Sequence, residues 1–159
     1  MRSRSTLGSV AVLTGALAAA GLAFAPTAGA VAPGSATAVY DCGTWGSGTA
    51  TLAATQSGTA ATITLTAAIT TPVAVGVDTI SSTLTMAKAG GGTQVFAGKK
   101  NPALAAGQSV TIGPLSGTVA SGTSVNSYFA GPALKMVIFG VTVTCDAVTS
   151  QSPGPFVFS

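Results

Sequence analysis

The sequence has no histidine and no glutamate, and its acidic groups are three aspartates, Asp41, Asp78 and Asp146. Charged residues make up only 6% of the 159-residue chain. Without histidine the chain lacks the side chain most used as a general base near neutral pH and the commonest nitrogen ligand for zinc or copper. Two cysteines, with nothing to complete a four-ligand set, exclude the usual zinc and copper centres. Serine and threonine are plentiful, but an activated hydroxyl needs a neighbouring base. Neither Ser-x-x-Lys nor Gly-x-Ser-x-Gly occurs, and Asp78-Thr79-Ile80 is not the Asp-Thr-Gly of an aspartic protease. A glycosidase would have to draw two facing carboxyl groups from three aspartates. These absences predict a chain that is not an enzyme and that uses no cofactor.

Long apolar runs are also missing after residue 30. The hydrophobic content of 47% is mostly alanine and valine interleaved with threonine, and no stretch reaches the roughly 20 apolar residues of a bilayer span. The first thirty residues differ. Arg2 and Arg4 supply a positive start, residues 10–25 are uncharged and rich in alanine, leucine and valine, and Ala28-Gly29-Ala30 has the small-x-small form of a cleavage site. Residues 1–30 therefore read as a cleaved secretory signal, with Ala32 marking a second possible cleavage point. A secreted protein is expected, extracellular or loosely associated with the cell surface, with no stable membrane span after cleavage. Removal of the leader leaves Lys88, Lys99, Lys100 and Lys135 against the three aspartates, a formal charge of +1. The sequence pI of about 9.2 is then no sign of a nucleic-acid partner. A phosphate-tracking surface needs clustered cations, and Lys99-Lys100 alone, followed by Asn101-Pro102, reads as a solvated loop.

The two cysteines, Cys42 and Cys145, lie near the two ends of the remaining chain. In an oxidising compartment an even count of two implies one disulfide. Each has an aspartate beside it, so the bridge would bring Asp41 and Asp146 together. Such a pair is a candidate oxygen-ligand site for calcium, set against the plainer reading of two solvated carboxylates.

Between the cysteines the chain divides itself into short strands. Threonine alternates with aliphatic residues over 49–55 and 62–66 on either side of Gln56-Ser57-Gly58, the pattern of a hairpin. Residues 79–86 place Ile80, Leu84 and Met86 on one side and Ser81, Thr83 and Thr85 on the other. Gly90-Gly91-Gly92 then breaks the chain before residues 94–97, a second hairpin. Further strands are predicted at 109–112, 115–119 and 125–129, with a turn at Gly113-Pro114. The longest strand is predicted at 134–145, bulged or bent at Phe139-Gly140. Nothing after the leader shows the three-and-four spacing of an amphipathic helix.

Seven to nine strands at this spacing predict an all-β protein, a single antiparallel β-sandwich of immunoglobulin-like form held by one disulfide. The sandwich is assigned to residues 38–147, preceded by a flexible segment 31–37 and followed by a tail 148–159. In that tail Phe156-Val157-Phe158 is too apolar to lie free in water, so it either packs back on the domain or adheres to a partner. The Tyr40-Asp41-Cys42 opener, the segment Pro72-Val73-Ala74-Val75-Gly76, the stretch Ala106-Gly107-Gln108-Ser109-Val110-Thr111 and the closing Val143-Thr144-Cys145 resemble small secreted actinobacterial proteins of unknown function. The resemblance spans most of residues 38–147. It implies an immunoglobulin-like sandwich and no activity, cofactor or functional residue.

Binding is the function class that these observations leave. The first form is a non-catalytic structural or protein-interaction module, meeting an extracellular or cell-envelope protein through strand edges and a Thr/Ser face. The alternative is a carbohydrate or small-ligand module in which Trp45, Tyr40, Tyr128 and Phe129 offer aromatic platforms to a glycan. One tryptophan and two tyrosines are few for that second role, which favours the first.

Overall fold

The computed structural model describes residues 30–159. Of the leader assigned to residues 1–30, all but Ala30 lies outside the described residues. Ten strands follow one another: β1 (Ser35–Asp41), β2 (Ser47–Ser57), β3 (Ala60–Thr70), β4 (Ser81–Lys88), β5 (Thr93–Lys99), β6 (Ser109–Thr118), β7 (Ser124–Ser127), β8 (Leu134–Ile138), β9 (Val141–Ala147) and β10 (Phe156–Val157). The one helical element among the described residues is a 3-10 turn, Gly43–Trp45, and no helix there is long and apolar enough to cross a membrane.

The alternation read from the sequence is what builds these strands. β2 turns Ala50, Leu52, Ala54 and Gln56 inward and Thr49, Thr51 and Thr55 outward. β4 buries Ser82, Leu84 and Met86 on one side. Threonine suits the outward positions because its β-branched side chain packs on a pleated surface while its hydroxyl meets water. Opposed threonines also bond directly across the strands, as Thr55 and Thr62 do at 2.7 Å between hydroxyls. Apolar residues inside and threonine outside is the inverse of a lipid-facing barrel wall.

The sheet is not split into the two layers of an immunoglobulin-like sandwich. It closes on itself. The ring runs β4, β5, β6, β3, β2, β1, β9, β8 and back to β4, eight antiparallel staves of a barrel, with β7 and β10 appended. Closure depends on β4 serving two neighbours along one side. Its first half pairs with β8, from Ser81 opposite Val137 to Leu84 opposite Leu134, and its second half, Met86 to Lys88, pairs with β7. A period of two marks one buried face per strand, and a sandwich layer and a barrel stave both satisfy it. Two further expectations change. β6 runs unbroken through Gly113-Pro114, where its register with β3 shifts. The stretch 134–145 is not one bent strand but the hairpin β8–β9, with Phe139-Gly140 as its two-residue turn.

Fully buried Leu52, Ile63, Leu65, Leu84, Phe96, Ile112 and Leu115 fill the interior, as expected for a barrel of eight strands. The seam between β5 and β6 has a single ladder pair, Ala97 with Ser116. It closes tightly beside Gly117, where an added Cβ would lie 2.6 Å from the Phe96 ring and 2.8 Å from the Val95 carbonyl.

The two ends of the barrel are unlike. At the end where β2 turns into β3, the C-terminal residues return and pack in. β10 pairs with β7, Phe156 and Phe158 are fully buried, and the Phe158 ring lies 6.1 Å from that of Phe96. The Gln56 amide grips the terminal residue in both directions, its Nε2 donating to the Ser159 carbonyl and its Oε1 accepting from the Ser159 amide. Ser152 and Val157 also bridge to Thr37 and Ala32. The N-terminal segment and the tail thus pair with each other, and Ser35 already belongs to β1. The disulfide Cys42–Cys145, as expected from the cysteine count, spans 103 residues in sequence. It continues the β1–β9 ladder, in which Tyr40 faces Ala147 and Asp41 faces Asp146.

Candidate functional site

The end of the barrel away from the tail remains open, and its chemistry is apolar. Three short pieces of backbone frame it: the 3-10 turn carrying Trp45, the segment after β3 carrying Pro72 and Val73, and the β8–β9 turn carrying Phe139. Between them lies a cavity of about 130 Å³, floored by Ile69, Val110, Met136 and Val143. No charged residue lines it, and its two polar residues are Thr70 and Thr71. The Thr71 hydroxyl is already engaged with the Val73 carbonyl. Around the rim stand large apolar side chains left in water: Trp45 is 48% exposed, Phe139 67%, and Val73 and Val141 about half. Isolated exposed hydrophobics are ordinary on a protein surface, but four around one cavity make a contiguous apolar patch.

Local backbone chemistry holds the rim in place. The Trp45 turn is tied by bonds from Cys42 N to the Gly46 carbonyl and from Gly46 N to the Gly43 carbonyl. Gly43 and Gly46 take φ of 61° and 102°, which side-chain-bearing residues rarely adopt. Since Cys42 begins the turn, the disulfide anchors Trp45 to β9. At the opposite rim Phe139 and Gly140 have φ of 51° and 79°, the signature of a type I′ turn. Asparagine or glycine normally fills the first of these positions, and a bulky residue there carries about 1–2 kcal/mol of backbone strain. The fold keeps a phenylalanine in a strained turn and points it into solvent.

The four aromatics proposed from sequence do not meet. Trp45 stands at the open rim. Tyr40 is buried in the wall below, where burial pushes its phenol pKa up to about 12. Tyr128 and Phe129 lie in the segment entering the far end of β8, Phe129 exposed and Tyr128 half-buried. Asp41 and Asp146 are brought together as expected, opposite one another on β1 and β9 and both exposed. The Asp41 Oδ1 accepts the Gly43 amide at 2.9 Å. Two carboxylates fall well short of the six to eight oxygens that calcium takes, and among the described residues no group of three or more His, Cys, Asp or Glu could hold a metal ion.

Sequence reasoning did not pick out Phe139, Val73, Val141 or Met136. The available signal was Phe139-Gly140 between two alternating runs, a two-residue hairpin loop disguised by phenylalanine where asparagine is usual. Searches against family models, curated proteins and solved structures find no match to this chain.

Proposed function

We propose that this chain is an exported, non-catalytic binding module of the cell surface or extracellular medium, and that it binds through the open apolar end of its barrel. The observation that carries the proposal is the gathering of Trp45, Val73, Phe139 and Val141 around a cavity at the end the tail leaves uncovered. Water in contact with such a patch is released when a partner covers it, at roughly 25 cal/mol per Å² of apolar surface. The resemblance of the opener and closer to those of small secreted actinobacterial proteins, and the leader-like residues 1–30, support placement outside the cell. Supporting the non-catalytic half is the inventory: no histidine, three aspartates and four lysines after residue 30 leave little acid–base chemistry to assemble.

The glycan reading draws less support. A sugar site pairs aromatic faces with hydrogen-bonding groups. Trp45 shares a depression with Asp41, Thr44, Thr142, Thr144 and Asp146, but it is the one exposed aromatic there, since Tyr40 is buried and Phe129 is not part of that depression.

Fractionation tests the proposal. The full chain is expressed in its producing organism, and culture medium is separated from washed envelope. Wild-type protein is expected in part on the envelope, with Val141→Asp shifted to the medium. Equal distribution of the two, or turnover of esterase, glycosidase or peptidase reporters by the purified protein, overturns it.

A further inference from the structure

The cavity at the open end points to its own ligand class. We infer that it takes the end of a small neutral hydrocarbon group, a single ring or an alkyl chain of about six carbons, with any polar head left at the rim. This rests on reading the apolar end as the binding end, and it goes further by naming what enters.

Size sets the first limit. A cavity of about 130 Å³ is slightly smaller than a dry, apolar cavity of about 150 Å³ that accepts benzene. Chemistry sets the second. The floor of Ile69, Val110, Met136 and Val143 presents no donor, acceptor or charge, and the nearby Thr71 hydroxyl is bonded to Val73. A charged or hydrogen-bonding group placed there would be stripped of water with nothing in return. Adaptability is the third. Met136 is unbranched and polarisable, able to follow rings or chains of different outline, and Trp45 and Phe139 stand at the rim where they can close over an occupant. Access is open from one side only, since the tail fills the opposite end with Phe156 and Phe158.

Trp45 is the only tryptophan of the chain, so its fluorescence reports the rim without background. The experiment titrates the purified protein with straight-chain alcohols from propanol to decanol. Affinity is expected to rise about fourfold per carbon, the effect of burying one methylene at about 0.8 kcal/mol, and to level off near six carbons when the cavity is full. Toluene is expected to compete with hexanol. Val141→Asp, a change at an exposed position, is expected to weaken hexanol at least tenfold, while Val95→Asp on the barrel wall leaves it unchanged. A continued rise to decanol marks adsorption along an open surface and overturns the inference, as does absence of any saturable response. If alcohols fail while Val141→Asp still releases the protein from the envelope, the binding end stands and the ligand class is wrong. If both fail, the apolar end is not a binding surface.

Discussion

Reduction of the Cys42–Cys145 bridge should remove a large share of the stability of this barrel. The bridge closes a loop of 103 residues, which in the chain-entropy treatment restricts the unfolded chain by about 4–5 kcal/mol. For a domain of this size each kcal/mol moves the melting temperature by about 4 °C, so the expected drop is roughly 15–20 °C. Serine substitution is a poor way to measure it, because Cys145 is fully buried and a hydroxyl there carries its own desolvation cost. The cleaner comparison is oxidised protein against the same protein reduced in denaturant and refolded under reductant. Thermal unfolding followed by circular dichroism gives the shift. Trp45 gives a second reading: the bridge fixes the start of its turn, so reduction should increase quenching of its fluorescence by acrylamide well below the melting temperature. Two titratable thiols in the native protein purified without reductant, or a drop smaller than about 5 °C, would refute the reasoning.

Gly117→Ala forces a methyl group onto the Phe96 ring and the Val95 carbonyl, and denaturant melts should show about 1–3 kcal/mol of lost stability. Asn101 bonds the Thr79 and Ile80 amides through Oδ1 and the Gly76 and Pro102 carbonyls through Nδ2, all at 2.7–2.8 Å. Asn101→Ala strands these groups and should cost about 2–4 kcal/mol in the same assay. Stability should be flat from about pH 6 to 8, where the α-amino group alone is expected to titrate. Tyr40 sets the alkaline edge: its folded pKa of about 12 lies above the unfolded value of 10.0. Its contribution is whole below pH 10 and is lost as the pH climbs toward 12, by about 3 kcal/mol, and Tyr40→Phe should lessen that loss. At the acid end the Lys100 ammonium, 2.9 Å from Asp78 Oδ2, lowers the Asp78 pKa, so the contribution of that carboxylate is present above the ordinary aspartate range and fades as pH falls through the lowered value.

What could be read from the chain alone followed from short-range chemistry. Thr62, Ile63, Thr64, Leu65 and Thr66 state the period of a strand, and Gly58 and Gly90-Gly91-Gly92 state where hairpins turn. The cysteine count stated the bridge, and the bridge placed Asp41 beside Asp146. Closure was not legible, because it rests on Ser81–Leu84 meeting residues 134–137, two segments fifty positions apart whose alternation fits a sandwich equally well. The fate of the tail was half legible: Phe156 and Phe158 announced that they needed cover, and only the empty barrel end showed where it was. The open end was hardest. Ile69 and Val73, Val110, and Met136 and Phe139 come from three separate stretches of sequence, each of which reads as ordinary core or loop. Trp45 alone was marked, as an aromatic. Phe139 was hidden because propensity assigns that position to asparagine, so the two-residue turn read as a bulge within one long strand.

That residue offers the most direct test of the claim that the open apolar end is the binding surface. Phe139→Asn supplies the side chain a type I′ turn prefers, relieving about 1–2 kcal/mol of strain, and removes an exposed ring from the rim. The measurement is the partition of this variant between medium and washed envelope, made on protein whose melting temperature has been checked against wild type. The variant is expected to be more stable than wild type, with a melting temperature raised by about 4 °C or more, and nevertheless to be released into the medium. A stabilised variant retained on the envelope as fully as wild type would contradict the claim.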